Sequence, residues 1–314
     1  MRHYFPKAFG GEAGKMLLEE ILLLGTVTSL IYALLALGFT LIYGVSGIIN
    51  LTHGALVMVG AYIFGALNGL FPSLLPAGFS HMATVLALIV TPILTGIIGS
   101  IFYRLTLHQI LGDQIATLVV SICGCMLFAQ LIWMLFGATL AARYSITFFP
   151  GSITVAGVTI ISAEALGAVV SILLFASLWI FISRSRSGMA MKALSQDLEA
   201  AMLMGVSVEK MYILTSAISG ALASIAGVFY VTITGATSIA VWLPALAISF
   251  SVVILGGLGS LKGTVIGALI FGYSVTYIAL TGGASLVTSF PFIVLIIVLI
   301  IRPKGLFGKR IEME

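Results

Sequence analysis

Apolar residues in this chain fall in long runs, and polar residues gather in a few short breaks between them. Between Ile21 and Tyr103 there is no Asp, Glu, Lys or Arg. A helix that crosses a bilayer needs about 20 mostly apolar residues. Nine segments meet that test, at about 17–43, 48–70, 82–104, 114–137, 165–183, 211–232, 240–257, 263–281 and 286–301. The last four are crowded, so eight full spans with one re-entrant segment is the competing count. Turn chemistry marks the breaks. Pro72, Pro76 and Gly78 separate the second and third segments, Gly256-Gly257-Leu258-Gly259-Ser260 the seventh and eighth, and Gly282-Gly283 ends the eighth. Pro244 is expected to kink the seventh. From Phe149 to Ile160, β-branched residues flank a glycine, which predicts a small β-hairpin. The fold class expected is an all-α polytopic membrane protein, a single domain over 1–314.

Composition agrees and narrows the function. Hydrophobic residues make up 61% of the chain and charged ones 8%, against about 25% charged in soluble domains. That excludes a soluble domain and a disordered chain. A net charge of +4 over 314 residues gives no basic stripe for nucleic acid. Arg2, Lys7 and Lys15 precede the first run in the manner of a signal peptide, but the run is too long for one and opens with Glu19 and Glu20. It is read as a first spanning helix. Cys123 and Cys125, two residues apart on a helix, point to different faces and read as packing residues.

Lys and Arg concentrate in 184–210 (Arg184, Arg186, Lys192, Lys210) and in the tail (Arg302, Lys304, Lys309, Arg310). The positive-inside rule places both on the cytoplasmic side. Arg104 and Lys262 then fall inside as well, and the hairpin and N-terminus outside. Glycine supplies 35 residues; lipid gives helices no hydrophobic reason to associate, so close packing relies on small residues. Gly65-x3-Gly69, Gly263-x3-Gly267 and, more loosely, Ala223-x3-Gly227 have the spacing for it.

The spans carry almost none of the ionisable groups that secondary transporters use; Asp113, Arg143 and Glu164 fall near predicted ends. The run Gly257–Gly263 lacks P-loop spacing, so the chain has no nucleotide site of that kind. No metal cluster, cofactor motif or nucleophile–base pair is legible, and no catalytic residue is assigned. The 184–210 segment is rich in helix formers. Ser195 is placed to cap a helix opening at Gln196, with Asp197 and Glu199 in its first turn and Gly205 ending it. Met189, Met191, Met202 and Met204 give it an adaptable apolar surface. This reads as a short cytoplasmic docking helix between two spans.

Glu199-Ala200-Ala201-x3-Gly205 resembles the EAA loop of ABC-importer permeases. Gly44-x2-Gly47-x2-Asn50-x2-His53-Gly54, Arg186-Ser187-Gly188 and Val253–Ser260 are similar to the branched-chain amino acid permeases, and the chain looks most like the shorter, H-type subunit of their pair. The resemblance runs from about residue 20 to 308. It implies a complex with a second, M-type permease, two ATP-binding cassette subunits and an external or periplasmic substrate-binding protein, set in the lipid of a bacterial inner membrane. It also implies that Gly188, Asp197, Glu199, Ala200, Ala201 and Gly205 couple the chain to the ATPase. The translocation path is sought at Gly47, Asn50, His53 and Gly54. Glycines there break an apolar run, and non-helical backbone at membrane depth survives only where it lines a cavity or is buried in protein. Capping and buried packing by Asn50 and His53 is the other reading. Import of branched-chain or related amino acids leads. A urea or short-amide importer, a sugar permease and a stand-alone secondary transporter are the alternatives.

Overall fold

A computed structural model of the chain describes residues 12–74, 80–137, 151–155, 157–234, 238–302 and 305–307. Eight helices in it are long and apolar enough to cross a membrane. In chain order the elements are α1 (Glu12–Ser46), α2 (Thr52–Leu74), α3 (Ser80–Leu105), α4 (Gln114–Phe136), β1 (Ser152–Val155), β2 (Val158–Ile161), α5 (Ser162–Arg184), α6 (Arg186–Leu194), α7 (Leu198–Leu203), α8 (Val208–Thr234), α9 (Trp242–Gly256), α10 (Leu261–Leu280), α11 (Ala284–Val287) and α12 (Phe290–Ile301).

Of the two expected counts the structure has eight, and the ninth segment is not a full span. Helix α12 has 12 residues, about 18 Å of rise, against a hydrocarbon core of about 30 Å. It begins beside the middle of α9, where Ser251 Oγ donates to the Pro291 carbonyl at 2.7 Å. The chain after it folds back on the end of α9: Leu306 N donates to Leu255 O and Phe307 N to Gly256 O. The Pro244 kink is corrected. Pro244 is the third residue of α9, in the first turn, where no intrahelical N–H is needed. The break at Pro72 falls late, since α2 runs through it to Leu74; Pro76 and Gly78 lie outside the described residues.

Helices α1, α2, α8 and α9 form the interior, and α4 and α5 are the most peripheral of the eight. The uncharged run of α1 packs all round: Ile31, Leu34, Leu35, Ala36 and Leu37 are at most 1% exposed. Small residues set the contacts. A methyl on Gly227 of α8 would strike the Val57 carbonyl of α2, and one on Gly60 of α2 would strike Ser224 of α8. Gly263 and Gly267 of α10 meet α9 backbone at Gly256 and Val252. The Gly65–Gly69 pair is only half used, with Gly65 buried and Gly69 exposed.

The helix ends sort into two sides. At one lie the end of α1 (Gly44 against Gly259), the end of α3 (Arg104 Nε 4.0 Å from Glu209 Oε1), α6, the 257–262 loop and residues 305–307. At the other lie the start of α1 and the antiparallel pair β1–β2, in which Ser152 faces Ile161 and Val155 faces Val158. The expected hairpin is therefore present; Phe149, Pro150 and Ala156 of that stretch lie outside the described residues. So does Arg143.

Candidate functional site

The 184–210 segment folds as two short helices rather than one. Ser185 caps α6, its Oγ accepting from Gly188 N at 2.9 Å. Gly188 is there because α6 turns back onto α5: a Cβ would strike the Phe181 carbonyl and crowd Ile182. Met191 and Leu194 are buried beneath α6. The cap of the second helix is Asp197, not Ser195. Asp197 Oδ1 accepts from Ala200 N at 3.0 Å, while Ser195 Oγ turns back to the Lys192 carbonyl. An ionised carboxylate suits the positive end of a helix better than a hydroxyl does. Helix α7 then closes with Val206 N on Ala201 O and Gly205 N on Met202 O, a paired closure that needs the left-handed residue Gly205 (φ +84°).

This fold divides the predicted docking residues. Ala201 is 5% exposed and holds α7 to the body. Glu199, Ala200 and Gly205 are exposed. Sequence reasoning named Met204 in the apolar surface but not Leu203, and it placed neither at the tip, where they stand 88% and 85% exposed. Amphipathic spacing could not reveal them in a helix of six residues.

The second predicted site lies at the α1–α2 break. Gly47, with φ +68° and open space around it, turns the chain out of α1. Residues 48–51 then run back into the protein, and α2 starts well inside the bundle. From Leu35 to Ser46 the first helix rises about 16 Å, yet His53 Nε2 reaches the Leu35 carbonyl at 2.9 Å. Each polar group of this stretch that would otherwise be stranded has a partner. Asn50 Oδ1 accepts from Thr52 N at 3.0 Å, Thr52 Oγ1 donates to Ser121 O at 3.0 Å, and Cys125 Sγ donates to Leu51 O at 3.2 Å. Since a carbonyl only accepts, His53 Nε2 carries the proton, and Nδ1 accepts from Ser219 Oγ at 3.3 Å. Ser249 Oγ also donates to Leu35 O. Phe39 meets the imidazole edge-on. Gly54 lets α9 approach, since a Cβ would lie 2.7 Å from the Trp242 carbonyl.

Asn50 is 3% exposed and His53 0%. Neither lines a cavity described here. A recess of about 240 Å³ beside the break is lined by Gly47, Ile48, Ile49, Asp113 and Gln114. Two larger cavities went unnoticed in the sequence. One, about 490 Å³, lies between the end of α1, α5, α6 and the glycine loop, with Lys192 and Lys262 on its wall. Lys262 Nζ sits 5.8 Å from the centre of the Trp179 ring. The other, about 620 Å³, opens at the hairpin end and contains Glu164. Among the described residues no group of three His, Cys, Asp or Glu side chains could hold a metal ion.

The sequence profile described as "Branched-chain amino acid transport system / permease component" matches residues 21–299. The high-affinity branched-chain amino acid transport system permease protein BraD of Pseudomonas aeruginosa is 31% identical over 284 residues, covering 88% of this chain and 92% of that one. The corresponding LivH protein of Escherichia coli K12 is 28% identical over 285 residues, covering 88% and 91%. A more distant relative, the galactofuranose transporter permease protein YtfT of Escherichia coli K12, is 30% identical over 263 residues, covering 80% of this chain and 70% of that one.

Proposed function

The chain belongs to the branched-chain amino acid permease family, and from that premise we propose that it is the H-type membrane subunit of an ATP-driven importer. Its cargo is branched-chain or related amino acids, and its place is a bacterial cytoplasmic membrane. It works with an M-type permease, two ATP-binding cassette subunits and an external binding protein that delivers the substrate. The chain itself hydrolyses nothing and needs no cofactor.

The observation that carries this reading is α7. It is a capped helix of six residues whose inner side is anchored by Ala201 and whose tip, Leu203 and Met204, reaches solvent uncovered. Exposed apolar side chains on a rigid element mark a contact surface. Asp197, Glu199, Ala200 and Gly205 shape that element, and Gly188 ties it through α6 to α5. Closure of the ATPase pair would push on α7 and so move α5 and α8, a remote ligand biasing a two-state body.

The α1–α2 break is the hinge of the translocation path in this reading. Gly47 borders the recess next to Asp113, while Asn50, His53 and Gly54 hold the returning chain in place from behind. Purification of the tagged chain from its native membrane in mild detergent, with mass spectrometry of its companions, tests the assembly. A second permease and two ATPase-sized chains are expected. A chain that comes out alone and still moves leucine in liposomes overturns it.

A further inference from the structure

We propose that the cavity at the hairpin end is a binding site for a zwitterionic amino acid with a branched aliphatic side chain, Glu164 receiving its ammonium group. The proposal rests on the amino-acid reading above and deepens it, since it gives the permease its own substrate contact.

Glu164 sits in the first turn of α5 and is partly buried in the wall of the 620 Å³ cavity. Among the described residues no Lys, Arg or His nitrogen lies within salt-bridge distance of it. A carboxylate partly removed from water and left without a cation is costly; a cationic ligand supplies the missing charge. The second observation is independent. Tyr32 of α1 and Tyr230 of α8 line the same cavity, and each is 4% exposed. Neither hydroxyl has a hydrogen-bond partner among the described residues, and neither oxygen is sealed off from the cavity. Both are left for a ligand.

The remaining walls fit the rest of such a molecule. Ile233, Ile248, Val275, Leu280 and Val287 supply branched apolar surface. The chain enters two helices here, at Ser238–Val241 ahead of α9 and at Thr288–Pro291 ahead of α12. Helix starts present positive partial charge, which favours a substrate carboxylate, although the Ala240, Val241, Phe292 and Ile293 N–H groups here are taken within the chain; discontinuous helices serve carboxylates by such partial charge in other transporters. Thr28, Thr276 and Thr288 add hydroxyls. The cavity volume lies within the range of roughly 300–1,000 Å³ typical of small-molecule sites.

The test is binding of tritiated leucine to the purified full-length chain in lipid nanodiscs, beside leucine uptake by the assembled complex. Saturable binding is expected, competed by isoamylamine, which keeps the ammonium, and not by 4-methylpentanoate, which lacks it. E164Q should weaken leucine binding about tenfold or more, the loss of a charge-assisted contact, and remove the advantage of the amine. If E164Q fails to accumulate, E164D keeps the charge and should retain the preference for the amine. Absence of saturable binding, or an unchanged affinity and competition pattern in E164Q, overturns the site. Uptake separates the two claims. A wild-type complex that moves no amino acid defeats the importer reading, and leucine binding to the isolated chain still decides the cavity.

Discussion

Two of the breaks between helices, at 47–53 and at 185–206, treat polar residues in opposite ways. At 47–53 the backbone turns inside the bundle. Asn50, Thr52 and His53 are at most 3% exposed, and each is tied to a group on the same or a neighbouring element. At 185–206 the backbone turns outside it, its polar residues cap helices in water, and the unpaired groups are apolar: Leu203 and Met204. The first break is complete within the chain; the second leaves an apolar tip uncovered. The environment explains the contrast. At membrane depth an unpaired polar group is expensive, whereas at the surface an uncovered apolar tip costs little until something covers it. A break of the first kind fixes geometry, and in the function proposed above a break of the second kind transmits it.

The comparison can be broken most severely at the backbone contacts that hold the inner break in place. Gly227→Leu would drive a side chain into the Val57 carbonyl, and Gly60→Leu would do the same at Ser224. Either should abolish the monodisperse peak on size-exclusion chromatography. Next in size is the tip of α7. Leu203→Asp with Met204→Asp should reduce co-purification of the ATPase by more than tenfold while changing the chain's own stability by no more than about 0.5 kcal/mol. Ala201→Arg is a poorer probe, because Ala201 faces inward and the change would disturb α7 itself.

His53→Leu removes a bond to Leu35 O and leaves Ser219 without its partner. It should cost about 1–3 kcal/mol, read as a fall in thermal midpoint, and cut uptake with the complex intact. Combining it with Ser249→Ala, which strips the other side-chain donor from Leu35 O, should be non-additive, because the two share one acceptor. The smallest effects belong to the caps. Asn50→Ala and Asp197→Ala should each cost about 1 kcal/mol. They sharpen the contrast by location: the Asn50 change should lower thermal stability, and the Asp197 change mainly ATPase-stimulated transport.

Much of this was legible in the chain itself. Uncharged runs of about 20 residues have only one stable form in lipid, a helix with its backbone bonds satisfied internally, so the spans from α1 to α10 follow from composition and length. Motif spacing carried the family, and local chemistry predicted Gly205 as a helix end, since its requirement for positive φ is met within a few residues. The count of spans was not legible, because an apolar run cannot state whether its ends reach both surfaces. Helix α12 starts against Ser251, and the return after it pairs with Leu255 and Gly256, α9 residues distant from it in sequence. The same holds for His53, whose partners Leu35 and Ser219 lie on α1 and α8. Glu164 looked like an ordinary helix-end carboxylate until the fold brought Tyr32 and Tyr230 to the same cavity. Sequence alone determined which segments enter the membrane and which family they belong to, because those depend on local hydrophobicity and local pattern. Only the tertiary structure decided which polar groups are sealed and which are left open, because that depends on what each helix packs against.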